Sequence, residues 1–165
     1  IKDFKLYKIY NSNSIPISYN IFELCEKSDF EKKYNDSDII NIYYNLLSDK
    51  VENIIKYVLN NKQYVIIHIY YNDDDSSKFY KYNKTQNGIN LLEFTKVKST
   101  DKYNIHSIVF TDYYEESKTY KFKNNWGSKW GDDGYGYTKF EDINIVDIFF
   151  LANDEITYSL IQKVA

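Results

Sequence analysis

Apolar and polar positions follow two different periods along the chain, one typical of strands and one of helices. Residues 4–10 alternate apolar and basic side chains, as a half-buried strand does, and residues 64–71 form a continuous apolar run of strand length. Residues 37–47 and 51–59 repeat apolar side chains at helical spacing. The polar run at residues 72–77 is predicted to be a solvated turn. These elements together predict an α+β fold.

The backbone is most tightly constrained at residues 120–137. This segment holds both tryptophans and four of the five glycines of the chain. A strand that ends near Lys123 would carry Asn124 and Trp126 into a turn, where glycines supply backbone conformations that other residues resist. His106 opens another apolar run one strand upstream. The sequence therefore predicts that a histidine and an asparagine approach each other across neighbouring strands.

The segment Lys-Asn-Asn-Trp-Gly-Ser-Lys-Trp-Gly-Asp-Asp-Gly-Tyr, which begins at Lys123, resembles a signature of papain-like cysteine peptidases. It departs from that signature at Asn125, where the family usually has serine. The resemblance implies that His106 is the general base, that Asn124 orients it, and that Trp126 shields their hydrogen bond from water. A neutral amide can hold one imidazole tautomer without the cost of a buried charge.

By the same resemblance, residues 1–165 form one domain like the C-terminal half of such a peptidase. That half is a right-hand antiparallel β-barrel-like domain with one or two packed helices. The resemblance covers most of residues 51–151, and residues 135–140 and 145–151 are expected to close the sheet. Residues 17–50 have no family counterpart and are expected to form an additional helical segment. The helical half of the family, which carries the nucleophilic cysteine, has no match in this sequence.

Cys25 is the only cysteine and matches the surroundings of the family's nucleophile poorly. Tyr19 stands six residues earlier, where the family has a glutamine, and the acidic Glu26 beside the thiol disfavours its thiolate form. Cys25 and His106 are 81 positions apart, whereas the family separates the two residues by roughly 130–150. A buried structural cysteine is therefore favoured, and a nucleophilic role for Cys25 is the alternative.

Charge and residue pattern exclude several other function classes. The net charge is −3 and the lysines are scattered among acids, so nucleic acid is not an expected partner. No apolar stretch approaches the roughly twenty residues that span a bilayer, so no membrane partner is expected. Two histidines and one distant cysteine do not form a metal-ligand pattern, and we expect neither a metal nor a cofactor. His68, inside an apolar run, is interpreted as a structural histidine of the sheet.

Two functions from different classes fit these observations. In the first, the chain is the His- and Asn-bearing domain of a papain-like cysteine peptidase that hydrolyses peptide bonds. Its partner would be a Cys-bearing N-terminal papain-like domain or chain, on a separate or upstream polypeptide, and a segment before Ile1 is expected because the sequence does not begin with methionine. The chain alone would then be inactive. In the second, it is a catalytically inactive papain-like scaffold that acts as a binding or structural module.

The residues present favour these two functions differently. A scaffold without chemistry has no chemical reason to keep both His106 and Asn124, which favours the peptidase. The absent cysteine motif favours the inactive scaffold, since a base without a nucleophile hydrolyses nothing by this route. The single cysteine also excludes an intrachain disulfide, which leaves the cellular compartment open.

Overall fold

The computed structural model describes residues 5–11, 22–26, 44–46, 48–84, 89–97 and 102–152, which form an α+β fold. The strands are β1 (Lys5–Asn11), β2 (Phe22–Glu26), β3 (Tyr44–Leu46), β4 (Val65–Asn72), β5 (Leu91–Leu92), β6 (Tyr103–Tyr114), β7 (Thr119–Lys123), β8 (Tyr135–Thr138) and β9 (Asn144–Ala152). The helices are α1 (Ser48–Asn60) and α2 (Asp73–Tyr80), and a short 3-10 helix spans Phe140–Asp142. The α+β class predicted from the sequence is confirmed.

The described strands form one sheet in the order β3-β2-β1-β9-β4-β6-β7-β8-β5. Neighbouring strands are antiparallel except β5 and β8, which run parallel. The sheet has β3 and β5 at its edges, so the described strands do not close on themselves. This mixed sheet with two packed helices is consistent with the expected α+β, barrel-like fold, although the described strands do not form a closed barrel.

One apolar layer holds α1 against the sheet. Four residues of α1, Val51, Ile54, Ile55 and Val58, are almost fully buried, and they recur at helical spacing. They belong to the same apolar cluster as alternate residues of the central strands. Burying each such side chain contributes about 2 kcal/mol. The core therefore lies on the face of the sheet that α1 covers.

Four of the predicted elements are confirmed. The predicted helix at residues 51–59 lies inside α1, and the strand at residues 64–71 corresponds to β4. The predicted strand at residues 4–10 corresponds to β1, and residues 145–151 lie inside β9. In α1 the apolar period matches the face that the structure buries, and β4 is a continuous apolar run in which alternate residues are buried.

The expectation of an additional helical segment at residues 17–50 is wrong where the structure describes it. Phe22–Glu26 and Tyr44–Leu46 are strands, and of the described residues in this span only residues 48–50 are helical. β2 pairs with both β1 and β3, and this pairing outweighs the helical spacing of the local sequence. The rest of the predicted helix at residues 37–47 lies outside the described residues.

The predicted turn at residues 72–77 is also wrong, because this segment begins helix α2. The side chain of Asn72 caps the helix by accepting a hydrogen bond of 3.1 Å from the Asp75 N–H. Three aspartates fill the first turn, where the helix dipole favours negative charge. The buried Asp75 also accepts a hydrogen bond of 2.8 Å from the Thr95 N–H, which joins α2 to the following loop.

Neither described helix is both long and apolar enough to cross a membrane.

Candidate functional site

The sheet register brings β6 and the end of β7 together. His106 lies in β6 opposite Ile69 of β4, and Ile69 is fully buried, so the histidine shares the covered face of the sheet. Lys123, the last residue of β7, lies opposite Val109 of β6. Asn124 follows directly and therefore enters the site next to the histidine. The antiparallel pairing of these two strands thus places the two side chains that sequence analysis singled out next to each other.

His106 Nε2 lies 2.7 Å from Asn124 Oδ1. The same oxygen accepts a hydrogen bond of 2.8 Å from the backbone N–H of Asn125. Because a backbone N–H can only donate, the atom that it contacts must be the amide oxygen and not the amide nitrogen. The imidazole must then donate through Nε2, which leaves Nδ1 with its lone pair. Nδ1 has no hydrogen-bond partner among the described residues.

Asn124 is held rigidly, but its amide is not fully satisfied. It is 1% exposed, and its backbone N–H donates to the Gly134 carbonyl at 3.0 Å. Its side-chain Nδ2 is buried and has no hydrogen-bond partner in the described part of the chain. A buried donor without a partner costs about 1–3 kcal/mol. An amide kept at such a cost is better explained by its contact with His106 than by stability.

Aromatic rings enclose the contact between His106 and Asn124. The ring centroids of Trp126 and His106 are 4.8 Å apart, with the planes tilted by 39°. Phe79 of α2 meets His106 edge to face at 5.4 Å and contacts Trp126 at 4.6 Å. Apolar rings at these distances exclude water and strengthen the hydrogen bond that they cover. Sequence analysis missed Phe79, although the capping residue Asn72 followed by three acids was a usable signal for the helix that carries it.

Trp130 joins the signature turn to α2. It is 7% exposed, and its indole N–H donates a hydrogen bond of 2.8 Å to the carbonyl of Phe79. Tyr82 packs on the same indole at 5.0 Å, and burial raises the pKa of Tyr82 to about 12. This arrangement fixes the end of α2 relative to His106, so the aromatic enclosure is a rigid part of the fold.

The predicted need for glycine is met at three positions. Gly127, Gly131 and Gly134 all have positive φ, between 60° and 90°. A Cβ at Gly131 would lie 2.4 Å from the carbonyl oxygen of Tyr135, which accepts the Asp132 N–H. At Gly131 both the positive φ and the close backbone contact require glycine. At Gly127 the space is open, and only the positive φ favours glycine.

Cys25 does not lie near this site within one copy of the chain. It is in β2, opposite Lys8 of β1, and strands β1, β9 and β4 stand between β2 and the strand of His106. Its side chain lies outside what the structure describes. Among the described residues, no group of three or more histidine, cysteine, aspartate or glutamate side chains could hold a metal ion.

The other histidine, His68, belongs to a charged cluster on the opposite face of the sheet. Its Nδ1 lies 2.6 Å from Asp147 Oδ1, and Lys8 Nζ lies 3.4 Å from the other carboxylate oxygen. The histidine contact is close but not aligned as a hydrogen bond, so we treat it as electrostatic. Sequence analysis missed Asp147, because only the pairing of β4 with β9 brings it to His68.

Two solved structures are similar to the chain at low sequence identity. One is xylellain, a cysteine protease from Xylella fastidiosa, with 15% identity and a TM-score of 0.41 over 60% of this chain and 35% of that one. The other is the SERA5 proenzyme from Plasmodium falciparum, with 15% identity and a TM-score of 0.37 over 92% of this chain and 36% of that one. The chain thus spans about a third of the length of either structure. No protein-family model matches the chain, and no curated protein matches it significantly.

Proposed function

We propose that the chain supplies the base and its orienting residue to a papain-like cysteine peptidase, whose nucleophilic cysteine lies on a separate or upstream polypeptide. The observation that carries this proposal is the contact of His106 Nε2 with Asn124 Oδ1 at 2.7 Å. It assigns the proton of the neutral imidazole to Nε2 and leaves Nδ1 to accept a proton from a thiol. The signature around Asn124 and Trp126 adds a second, independent line of support from the sequence.

In the proposed reaction, the thiol of the partner gives its proton to His106 Nδ1, and the thiolate attacks the scissile carbonyl carbon. A bond from sulfur to carbon forms, and the carbonyl oxygen takes the negative charge. The C–N bond then breaks as His106 Nδ1 returns its proton to the leaving amine, which yields an acyl-enzyme. A water molecule then gives a proton to the same Nδ1 while its oxygen attacks the acyl carbon. The C–S bond breaks, and Nδ1 returns the proton to sulfur, which restores the thiol. Asn124 holds the ring in place through all of these proton transfers.

The neutral amide suits this role for a physical reason. A carboxylate at Asn124 would add a negative charge at a position that is 1% exposed, and burial makes an unpaired charge costly. It would also favour the imidazolium over the neutral base. The amide fixes the ring without either effect. The rings of Trp126 and Phe79 then keep water away from the hydrogen bond.

A second candidate is a catalytically inactive scaffold that binds a partner. The observation that favours it is the separation of Cys25 from His106 by three intervening strands, so that the described chain brings no thiol to its base. In this case the arrangement of His106 and Asn124 would be a remnant without activity, and the enclosing rings would serve packing alone.

A thiol-directed peptidase probe distinguishes the two candidates. The chain would be purified from its natural source with whatever accompanies it, treated with a peptidyl epoxide, and examined by mass spectrometry. The peptidase proposal predicts that a cysteine outside residues 1–165 is labelled, and that a His106→Ala variant reduces labelling. His68→Ala and Cys25→Ser are matched controls that should label as the wild type does. Absence of labelling would favour the scaffold, and labelling of Cys25 would assign the nucleophile to this chain.

A further inference from the structure

A cavity lies at the end of the sheet, where α1 finishes and β4 begins. Its volume is about 220 Å³, and it is lined by residues from the end of α1, the loop before β4 and the last part of β6. Asp112 of β6 is one of them, six residues along the strand from His106. Six residues of extended strand span about 20 Å, so this cavity is separate from the His106 site. We call it the Asp112 cavity.

A bulge in β6 leaves the Asp112 carboxylate without a basic partner among the described residues. The pairing of β6 with β7 shifts register between Phe110 and Asp112, so Thr111 is the extra residue. Asp112 then lies opposite Lys121, but their charged groups form no ion pair with each other. The Lys121 ammonium lies 4.5 Å from the centroid of the Tyr135 ring instead, and the Asp112 carboxylate accepts a hydrogen bond of 2.9 Å from the Thr111 hydroxyl. In the described part of the chain, the carboxylate at this cavity is therefore an uncompensated negative charge.

The end of α1 adds to the negative potential of the cavity. Asn60, the last residue of α1, lines the cavity, and the last turn of this helix holds no basic side chain. A helix C-terminus carries roughly half a negative charge, which a nearby cation stabilises. Lys62 also lines the cavity, but it is exposed and forms no ion pair with Asp112. The carboxylate and the helix end together favour a positively charged ligand.

Two tyrosines line the cavity, and one of them offers a free ring. Tyr113 already packs against Tyr120, with ring centroids 4.6 Å apart, and the Lys56 ammonium lies 4.8 Å from the Tyr113 centroid. Tyr64 is 65% exposed and makes no ring contact among the described residues. The face of an aromatic ring attracts a cation, and in proteins that cation is most often arginine. The ring of Tyr64 therefore adds to the preference for a positive charge.

We propose that the Asp112 cavity binds the guanidinium group of an arginine side chain presented by a partner polypeptide. A planar guanidinium can donate two parallel N–H groups to a carboxylate and also stack on an aromatic ring, whereas an ammonium is a strongly hydrated point charge. The cavity is smaller than the roughly 300–1,000 Å³ of most small-molecule sites, so it suits a single side chain. This binding is independent of the peptidase function proposed above, because no residue of the His106 site takes part in it.

The test compares two probes of the same shape that differ in charge. N-acetyl-arginine amide and its uncharged analogue N-acetyl-citrulline amide would be titrated into the full chain, while the Asp112 amide and the Tyr64 ring are followed by NMR. We expect the arginine probe to bind about fivefold more tightly. Asp112→Asn should remove this preference, and Tyr64→Ala should reduce it to about twofold. Asp133→Asn makes the same change at an exposed carboxylate of the signature turn and is the control that should leave the preference intact.

Equal binding of the two probes to the wild type would overturn the proposal, and so would an undiminished preference in folded Asp112→Asn. If that variant does not fold, the wild-type signals decide, because shifts of the Tyr64 ring must accompany binding of the arginine probe. Lys62→Gln gives a further check of sign. Removing this like charge from the cavity should strengthen binding of the arginine probe by about twofold, and weaker binding would contradict a site for a cation.

Discussion

The two histidines of the chain lie on opposite faces of the same sheet and are held by chemically different partners. His106 in β6 contacts the neutral amide of Asn124 through Nε2, at 2.7 Å. His68 in β4 contacts the carboxylate of Asp147 through Nδ1, at 2.6 Å, and Lys8 approaches the same carboxylate. The two sites therefore leave different ring nitrogens available and surround them with different charge.

Under the proposed function, this difference separates a site that takes part in chemistry from one that stabilises the fold. The amide orients His106 without stabilising its charged form, as a base that must accept and return a proton requires. The carboxylate cluster instead links β1, β9 and β4, which are adjacent in the sheet. Its charged groups are mostly buried. Removing one partner of a buried carboxylate strongly destabilises the fold, because the remaining charge is left uncompensated. A histidine beside a side-chain oxygen is thus not by itself a sign of catalysis.

The largest expected effect concerns activity in the presence of the cysteine-bearing partner. Under the proposed function, His106→Ala should reduce kcat/KM for peptide hydrolysis by about a thousandfold or more, since the general base is lost. His68→Ala should leave kcat/KM within about threefold, because its ring lies on the other face of the sheet. Steady-state kinetics on a fluorogenic peptide would measure both. Equal losses in the two variants would break the distinction between the sites.

The next effect concerns stability, and here a change in the charged cluster around His68 should matter more than a change in the His106 site. Asp147→Ala should lower the free energy of unfolding by about 3 kcal/mol, because Lys8 and His68 then face each other without the carboxylate. Asn124→Ala should lower it by only about 1 kcal/mol, since the amide already carries a buried donor without a described partner. Urea denaturation followed by circular dichroism measures both. A larger loss for Asn124→Ala would show that the amide is mainly structural.

A smaller effect tests the turn that positions Asn124. Gly131→Ala should lower the free energy of unfolding by about 2 kcal/mol, because its Cβ would clash with the Tyr135 carbonyl in addition to the strained φ. Gly127→Ala should cost about 1 kcal/mol, from conformation alone. Thermal unfolding of the two variants gives the comparison. If Gly127→Ala were the more harmful change, close packing at Gly131 would not be what constrains the turn.

The smallest effect concerns the third member of the charged cluster. Lys8→Gln should lower the free energy of unfolding by about 0.5–1 kcal/mol, because Asp147 keeps its closer contact with His68. The Lys8 ammonium also lies 5.0 Å from the centroid of the Phe149 ring, so the loss includes a cation–π contact. A loss as large as that of Asp147→Ala would mean that Lys8, rather than His68, is the main partner of the carboxylate.

Features that depend on neighbouring residues could be predicted from the sequence. The turn after β7 is encoded locally by its glycines and tryptophans. The apolar period of α1 matches its buried face, and β4 is a continuous apolar run of strand length. His106 and Asn124 could be paired because they belong to consecutive segments of the chain, His106 in β6 and Asn124 directly after β7. These are all cases in which the local pattern and the final environment agree.

Features that depend on strand pairing could not be predicted in this way. Asp147 reaches His68 only through the register of β4 with β9, and Phe79 reaches His106 only because α2 folds back onto the site. Tyr44–Leu46 lies in a segment whose apolar residues have helical spacing, but it forms a strand because it pairs with β2. The three aspartates at the start of α2 look like a solvated turn until the Asn72 cap is recognised.

The position of the proton on His106 tests the central claim most directly. Long-range 1H–15N NMR at alkaline pH, where imidazoles are neutral, reports which ring nitrogen carries the hydrogen. The signals of the two histidines can be assigned with a His68→Gln variant. The geometry predicts a hydrogen on Nε2 of His106, and loss of that preference in Asn124→Ala. A hydrogen on Nδ1 of His106 in the wild type would contradict the account, because the atom that must accept the thiol proton would already be occupied.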